Sequence, residues 1–378
     1  MRIGIDGRMF GPKVSGIGIY VKNLIINLLA IDKKNEYVIF LLPDGFDAWQ
    51  TDADNVKKVL VKTRWYSWGE QFKYWRTLEK EKTDIMHFPN FNVPLLFTRK
   101  FLVTIHDMTP WYFPGHKRFE SNVHWLAYAT VFNSAVKRAE KIITVSQFSK
   151  DEIIKKYAQS REKIEVVYNG ANLGFQRLGN YGIISLKERY GITKPYIFFI
   201  GVWRDHKNIG GLLRAYKILK EKYQQDLELV LGGENNTSYK NTVIDEINKL
   251  GISKDVIITG FIPDEILPNF YQGAEICVIP SFIEGFGLHA IESLALGTPV
   301  AASKTTSLPE IIGDASVYFN PHEPKDISRA IMEVLNDPSL QKNMLERGER
   351  IIKKYSWHVC AEKTLDIYNK IFQKSGII

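Results

Sequence analysis

The chain has 378 residues, more than one typical hydrophobic core supports, so two domains are expected. Hydrophobic residues at 45% and charged residues at 24% are ordinary globular values, and no run approaches the roughly 18 apolar residues of a membrane-spanning helix. The net charge of +8 is one-sided: residues 1–170 hold 26 Lys and Arg against 18 Asp and Glu, and residues 171–378 hold 24 against 24. A basic first half suits an anionic surface such as a membrane, a lipid phosphate or nucleic acid; a merely solubilising surface is the plainer alternative. The opening MRIGIDGRMF enters a strand without the apolar segment of a signal peptide. Cys277 and Cys360 show no metal or redox spacing. A cytoplasmic protein without disulfides is expected, with both thiols buried as small core residues.

In chain order, Arg2 to Asp6 alternates and predicts a first strand ending at Gly7. A loop from Phe10 to Gly18 contains SGIG, and an amphipathic helix is expected from about Ile19 to Ile31. Tyr37 to Leu42 is a continuous apolar run, as a buried parallel strand requires. Val56 to Val61, Ile85 to Phe88, Phe101 to Ile105, Lys141 to Val145 and Ile164 to Val167 repeat it. Helical segments separate them, including Phe72 to Lys82, His124 to Arg138 and Lys150 to Tyr157. Strands alternating with helices mean a parallel sheet covered on both faces.

Residues 171–194, glycine-rich and then a charged helix, break this rhythm and are assigned to an inter-domain connection. The alternation restarts with strands at Tyr196 to Ile200, Leu227 to Leu231, Val256 to Thr259, Ile276 to Ile279, Val300 to Ala302 and Val317 to Phe319. The expected organisation is therefore two α/β domains, 1–170 and 195–356. A last helix within 357–378 would cross back to the first domain. In such sheets ligands sit beyond the carboxyl ends of the strands, and a cleft between the domains is the natural place.

The richest stretch is Pro280 to Val300, PSFIEGFGLHAIESLALGTPV. A buried strand leads into Gly285, Phe286 and Gly287, and a helix follows from Leu288 to Leu296, stopped by Gly297 and Pro299. The first N–H groups of such a helix have no internal partner and carry partial positive charge, which makes an anion site. Glu284 and Glu292 bracket it; carboxylates there suit hydroxyls of a ribose or hexose. An ordinary strand-to-helix turn with two surface glutamates is the alternative.

The loop GVWRDHKN, Gly201 to Asn208, gathers Arg204, His206 and Lys207 just before a helix. Cations at a helix N-terminus oppose the dipole unless an anion lies between them. With the Gly285–Gly287 turn, this loop would converge on a diphosphate; solvated loop charges are the alternative. In the first half, Ser15 to Gly18 is a glycine loop displaced from its strand. It therefore lacks the dinucleotide fingerprint; its glycines suit a close backbone approach to a ligand, and a plain loop is the equal alternative. His106 and Asp107 close a buried strand at the active-site edge of the sheet, where His106 suits a sugar hydroxyl or else a bond within the strand end. The segment RWYSWGEQFKYWR, Arg64 to Arg76, mixes cations with aromatics, as does Trp111 to Pro114 after His106-Asp107. Such mixtures suit a membrane interface or a carbohydrate or lipid acceptor, or else a helix packing its aromatic side inward. No His, Cys, Asp or Glu cluster has metal-ligand spacing, and there is no nucleophile elbow or Walker loop.

Together these motifs resemble the retaining glycosyltransferases of family four, which have the GT-B fold, and in particular mannosyltransferase-like members that build surface polysaccharides. The resemblance spans nearly the whole chain and is strongest from Tyr196 to Pro321. It rests on EGFGLHAIE, followed by ALGTPVAAS, SLPEIIGDA and VYFNP, on GVWRDHKN, on SGIG and on TIHDMTP. It implies an α/β GT-B architecture, two Rossmann-like parallel-sheet domains facing across a cleft. It implies a hexosyltransferase, mannose favoured, working with retention and without metal on a saccharide or lipid-linked acceptor.

By position, Lys207 and Arg204 would hold the donor diphosphate, and Glu292 the ribose. Glu284 and the backbone of Gly285, Phe286, Gly287 and Leu288 would hold donor sugar and phosphate, with Gly201 alongside. His106 would touch the donor sugar, and Gly16 and Gly18 would let their loop approach the phosphate. Asp107 and Trp111 would lie on the acceptor side. No cofactor is implied beyond the substrate, GDP-mannose favoured over a UDP-sugar. Nucleic acid is not an expected partner; the basic bias of the N-terminal domain and the aromatic segment Arg64 to Arg76 support, without demanding it, peripheral contact at the inner face of the cell membrane. The sequence departs from the family at His289, where proline is common, at His206, where arginine is common, and at Val202. Two other classes stand beside this reading, an NAD-dependent oxidoreductase with two Rossmann-like halves and a basic non-catalytic binding protein.

Overall fold

The structure, a computed structural model, describes residues 1–11, 16–113, 122–171, 180–233 and 237–373. The chain divides into two compact units, one formed by Met1–Gly170 with the segment from Tyr355 onward, the other by Ala171–Lys354.

The first unit is built on seven parallel strands, β1 (Arg2–Asp6), β2 (Glu36–Leu41), β3 (Val56–Leu60), β4 (Ile85–Phe88), β5 (Phe101–Ile105), β6 (Lys141–Thr144) and β7 (Ile164–Val166), in the order β3-β2-β1-β4-β5-β6-β7. The interior strands are apolar along their length because both faces are covered. All five residues of β5 are buried. The edge strand β3, VKKVL, instead has no fully buried residue and carries Lys57 and Lys58, charges that discourage pairing with another chain.

Helix α1 (Gly16–Ile31) follows β1, with Tyr20, Val21, Leu24, Ile25 and Leu28 turned into the core. Helices α2 (Asn122–Arg138) and α3 (Gln147–Lys156) cover the other half. The second unit has six parallel strands, β8 (Tyr196–Ile200), β9 (Glu228–Gly232), β10 (Val256–Gly260), β11 (Ile276–Ile279), β12 (Val300–Ser303) and β13 (Ser316–Phe319), in the order β10-β9-β8-β11-β12-β13. Helices α4 (Ile209–Glu221), α5 (Thr237–Leu250), α6 (Leu288–Ala295), α7 (Pro324–Asn336) and α8 (Pro338–Ile352) surround it. The final helix α9 (Trp357–Gln373) packs on α1 in the first unit, where His87 Nδ1 meets Tyr368 OH at 2.6 Å.

Three local expectations change. Helix α1 begins at Gly16, so Gly16 and Gly18 lie in its first turn and not in a loop; Ser15 lies outside the described residues. Two pieces replace the helix expected from Phe72, a wide π-helical turn at Glu70–Tyr74 and an α-helix at Trp75–Lys80. The turn carries two buried groups that meet one partner: Glu70 accepts from the Arg8 guanidinium, whose Cζ sits 3.9 Å from the centroid of the Tyr74 ring. In the 171–194 segment, Asn180–Tyr190 is a helix of the second unit, its Tyr190 ring against Phe270; residues 172–179 lie outside the described residues. Cys277 and Cys360 are buried free thiols, both pushed up to about 12 by burial.

Candidate functional site

In the second sheet β8 is flanked by β9 and β11, so the chain runs outward in opposite directions on its two sides. Loops leaving the carboxyl ends of β8 and β11 therefore diverge and leave a crevice, the usual ligand position in this architecture. These loops are Gly201–Asn208 and Pro280–Gly287, the two stretches singled out from sequence.

Buried groups fix the first loop. Trp203 is fully buried and donates through Nε1 to Gly232 O at 3.1 Å. Gly233 has φ +111, and a Cβ there would lie 2.0 Å from Gly201 O, so the close approach of these two loops requires glycine. Asn208, at φ 54, caps α4 by accepting from Gly211 N at 3.2 Å. Its Nδ2 donates to Pro280 O at 3.0 Å and Pro321 O at 2.7 Å. The β8 and β11 loops are further joined where Phe282 N donates to His206 O at 2.8 Å.

Across this crevice Lys207 Nζ bonds Glu284 Oε1 at 2.7 Å, with both side chains mostly buried. Ser281 Oγ donates to the same oxygen at 2.6 Å. The Glu284 backbone is held too, its N–H by Thr306 Oγ1 at 3.0 Å and its carbonyl by Ser307 Oγ at 2.9 Å. Burial alone would raise the Glu284 pKa; the Lys207 ammonium, the Ser281 hydroxyl and the nearby His206 outweigh it and hold the carboxyl below its ordinary range. Glu284 is thus a fixed, ionised acceptor and unsuited to donating a proton.

Gly285, Phe286 and Gly287 follow. The Phe286 ring is buried, so only the backbone of this turn is on offer. Gly287 sits at φ +87 and leads into α6, whose first residue Leu288 is half-buried. One turn on, Glu292 is buried; its Oε2 accepts from Tyr271 OH at 3.0 Å and lies 3.3 Å from His289 Nδ1. His289 Nδ1 is also 3.1 Å from Tyr271 OH, so the residue that departs from the family's proline joins the Glu292 network. Burial, then the Glu292 charge, pushes the Tyr271 hydroxyl well above its ordinary value and keeps it a donor. Arg204 is exposed at the start of the short turn Asp205–Lys207.

Of the sequence-predicted residues, then, Gly201, Lys207, Glu284, Gly285, Phe286, Gly287, Leu288 and Glu292 come from two loops and one helix at this crevice. Asn208, Tyr271, Ser281, Thr306 and Ser307 were not foreseen. Asn208 had a legible signal, an N-cap residue before a helical run, and Ser281 lies three residues before Glu284 in the same stretch; Tyr271, Thr306 and Ser307 touch the site only through the fold.

The first unit holds the remaining candidates. His106 Nε2 lies 2.9 Å from Pro89 O, and its ring meets Tyr20 edge-on at 4.8 Å. Burial lowers its pKa below the ordinary value. Asp107 Oδ1 accepts from Thr109 N at 2.8 Å and shapes the turn after β5. Trp111 packs edge-on against Trp125, Tyr128 and Phe132, with Lys156 Nζ 3.8 Å from its ring centroid, and is committed to this aromatic cluster. Among the described residues no cluster of three or more His, Cys, Asp and Glu could hold a metal ion, and no helix is long and apolar enough to cross a membrane.

Residues 184–351 match the family described as Glycosyl transferases group 1, and residues 14–175 match Glycosyltransferase Family 4. The chain is 31% identical to the O-antigen chain mannosyltransferase B of Escherichia coli over 299 residues, which is 77% of this chain and 75% of that one. Among solved structures it is similar to sucrose-phosphate synthase from Thermosynechococcus elongatus, with a TM-score of 0.80 at 18% identity over 99% of this chain and 100% of that one. It is also similar to HepE from Anabaena in complex with UDP-glucose, with a TM-score of 0.76 at 16% identity over 98% and 99%. These structural likenesses carry the fold, two Rossmann-like parallel-sheet domains of GT-B type. With Lys207 and Glu284 at the switch point of its second sheet, the chain belongs to the family 4, group 1 glycosyltransferases.

Proposed function

We propose that the protein transfers a hexose, with retention and without a metal ion, from a nucleotide sugar to a saccharide or lipid-linked saccharide in surface polysaccharide synthesis. Mannose from GDP-mannose is the favoured donor, because the O-antigen mannosyltransferase is similar over three-quarters of its own length. The HepE complex keeps a UDP-sugar as the alternative donor. Membership of the glycosyltransferase family sets aside the oxidoreductase and non-catalytic readings.

One observation carries the mechanism, the Lys207–Glu284 bond across the two diverging loops. An ammonium has three N–H donors, and Glu284 takes one, so the others are free to meet the diphosphate of the donor. There the fixed charge offsets the negative charge that grows on the leaving nucleotide as the glycosidic bond breaks. Arg204, exposed on the same loop, would reach the outer phosphate oxygens. Glu284, held ionised, would accept from hydroxyls of the donor sugar, and Glu292, steadied by Tyr271, from the ribose. His106 and the α1 start at Gly16 and Gly18 belong to the same reading. The donor phosphate would take the acceptor's proton, so no protein base is assigned.

The site of action we propose is the cytoplasmic face of the membrane. Trp65, Tyr66, Trp68 and Phe72 are exposed, Trp68 at 64% and Phe72 at 59%, beside exposed Lys62, Arg64, Lys73 and Arg76. Amphipathic rings among cations suit an anionic bilayer surface. Sedimentation with anionic and neutral vesicles tests this, and equal recovery with both would refute it. For the reaction, a panel of nucleotide sugars incubated with glycoside acceptors should yield release of one nucleoside diphosphate and a product of unchanged anomeric configuration by NMR. Inversion, or activity abolished by chelation and restored by a divalent cation, would overturn the retaining, metal-free mechanism.

A further inference from the structure

Helix α1 and strand β5 meet through one side chain. Tyr20 lies one turn after Gly16 in α1 and is fully buried. Its hydroxyl is 3.0 Å from Thr104 Oγ1 on β5. Its ring stands edge-on to His106, just past the end of that strand, with 4.8 Å between centroids. Behind Tyr20 the buried contacts continue into the last helix. His87 Nε2 lies 2.8 Å from the same Thr104 oxygen, and His87 Nδ1 lies 2.6 Å from Tyr368 OH on α9. The Trp357 ring of α9 stands 6.2 Å from the Tyr20 ring. Burial, then His106, pushes the His87 imidazole down to about 3, so this support is uncharged at neutral pH. The Tyr20 ring is thus held both at its hydroxyl and along its side.

His106 itself is fastened at two further points. Its Nε2 lies 2.9 Å from Pro89 O, and its own carbonyl accepts from Ser149 Oγ at 2.8 Å. A carbonyl oxygen only accepts, so Nε2 carries the ring proton. Burial lowers the His106 pKa, so at neutral pH Nδ1 keeps its lone pair. The imidazole therefore has an acceptor, and not a donor, to offer a sugar hydroxyl. Only a ring that stays against Pro89 offers it in a constant place, and the Tyr20 ring is the aromatic wall that His106 packs on.

We propose that Tyr20 is a positioning residue for the transfer reaction, holding the His106 imidazole on Pro89 O so that Nδ1 stays available to a hydroxyl of the donor sugar. It rests on the reading that His106 touches that sugar, and through Tyr368 and Trp357 it makes α9 part of the support. The test uses the full chain with GDP-mannose, or with UDP-glucose if the nucleotide-sugar panel selects it. Tyr20→Leu should lower kcat by about tenfold to a hundredfold, the scale of a misplaced catalytic contact. Affinity for free GDP or UDP, which has no sugar for His106 to touch, should stay within about twofold by calorimetry. In 1H–15N spectra the His106 Nε2–H signal, identified by its loss in His106→Ala, should be protected from exchange in the parent and broadened or missing in Tyr20→Leu. Tyr20→Phe keeps the ring beside Trp357 and should retain that signal and kcat within about threefold. Parental kcat and signal in Tyr20→Leu overturn the assignment, as does a Tyr20→Phe chain impaired as far as Tyr20→Leu. An unprotected Nε2–H in the parent overturns it without any variant. Parental turnover in His106→Ala would instead overturn the donor-sugar reading of His106, whereas an impaired His106→Ala beside a parental Tyr20→Leu would overturn the positioning role alone.

Discussion

The Lys207 ammonium stands 2.7 Å from Glu284 Oε1, although 77 residues separate the two in sequence. The bond exists because β8 and β11 are neighbours in the sheet and their following loops leave on opposite sides. In the proposed mechanism it pre-sets the cation before a donor arrives, so no reorganisation would be required when charge develops.

Lys207→Ala is expected to lower turnover by two or more orders of magnitude, on the scale of losing a fixed electrostatic donor. It also strands a mostly buried carboxylate, so some stability should go with it. Lys207→Met combined with Glu284→Gln removes both charges, should melt nearer the unaltered protein, and should remain inactive. Wild-type turnover in either variant would remove Lys207 from the mechanism.

Glu292→Ala should weaken the free nucleoside diphosphate by about tenfold or more in calorimetry, since hydrogen bonds to a charged group contribute roughly 1.5–3 kcal/mol. Tyr271→Phe removes only the partner that steadies Glu292 and should cost less. Unchanged affinity in Glu292→Ala would refute the ribose assignment.

Gly287→Ala confronts two obstacles. Its φ of +87 suits glycine, and a Cβ would lie 2.7 Å from Leu308 Cδ2. A loss of about 1–3 kcal/mol is expected, read by urea unfolding, with activity reduced because the α6 N-terminus must shift. A variant as stable and active as the parent would show that the turn is not constrained.

His87 gives a pH dependence with a definite sign. Burial first, then the neighbouring His106, pushes it down to about 3 from an ordinary 6.5. Between these values the unfolded chain binds a proton that the folded chain refuses, so stability falls as pH falls, by about 1.4 kcal/mol per unit. Glu284 acts in a lower window. Its folded pKa is depressed, so its contribution is present above the ordinary 4.5 and lost as pH falls through the folded value. Comparing urea midpoints at pH 7 and pH 5.5, His87→Gln should show a shallower loss than the parent. Identical slopes would mean that His87 is not the titrating group.

Much of the placement of strands along the chain was legible because parallel strands covered on both faces must be continuously apolar, as in FLVTI at β5 and YIFFI at β8. EGFGLHAIE and GVWRDHKN were legible as a turn and a cationic loop, for glycine and helix signals are local. The wide turn at Glu70–Tyr74 was not, since it follows from Arg8, more than sixty residues away, and no local period records such a partner. His106 and Trp111 show the converse: both stood out as chemistry in the sequence, and both are partly engaged by neighbours that only folding supplies.

What the sequence determined by itself is the class of the protein: two doubly wound units, a glycine turn between two glutamates, and a lysine loop ahead of a helix. Such features depend on contiguous residues, whose spacing dictates backbone conformation directly. Tertiary structure alone decided that Lys207 binds Glu284, that Tyr271 and His289 steady Glu292, and that Tyr20 meets Thr104 and His106. Those pairings are set by which strands lie side by side, and strand adjacency is a property of the packed sheet that no single stretch of chain encodes.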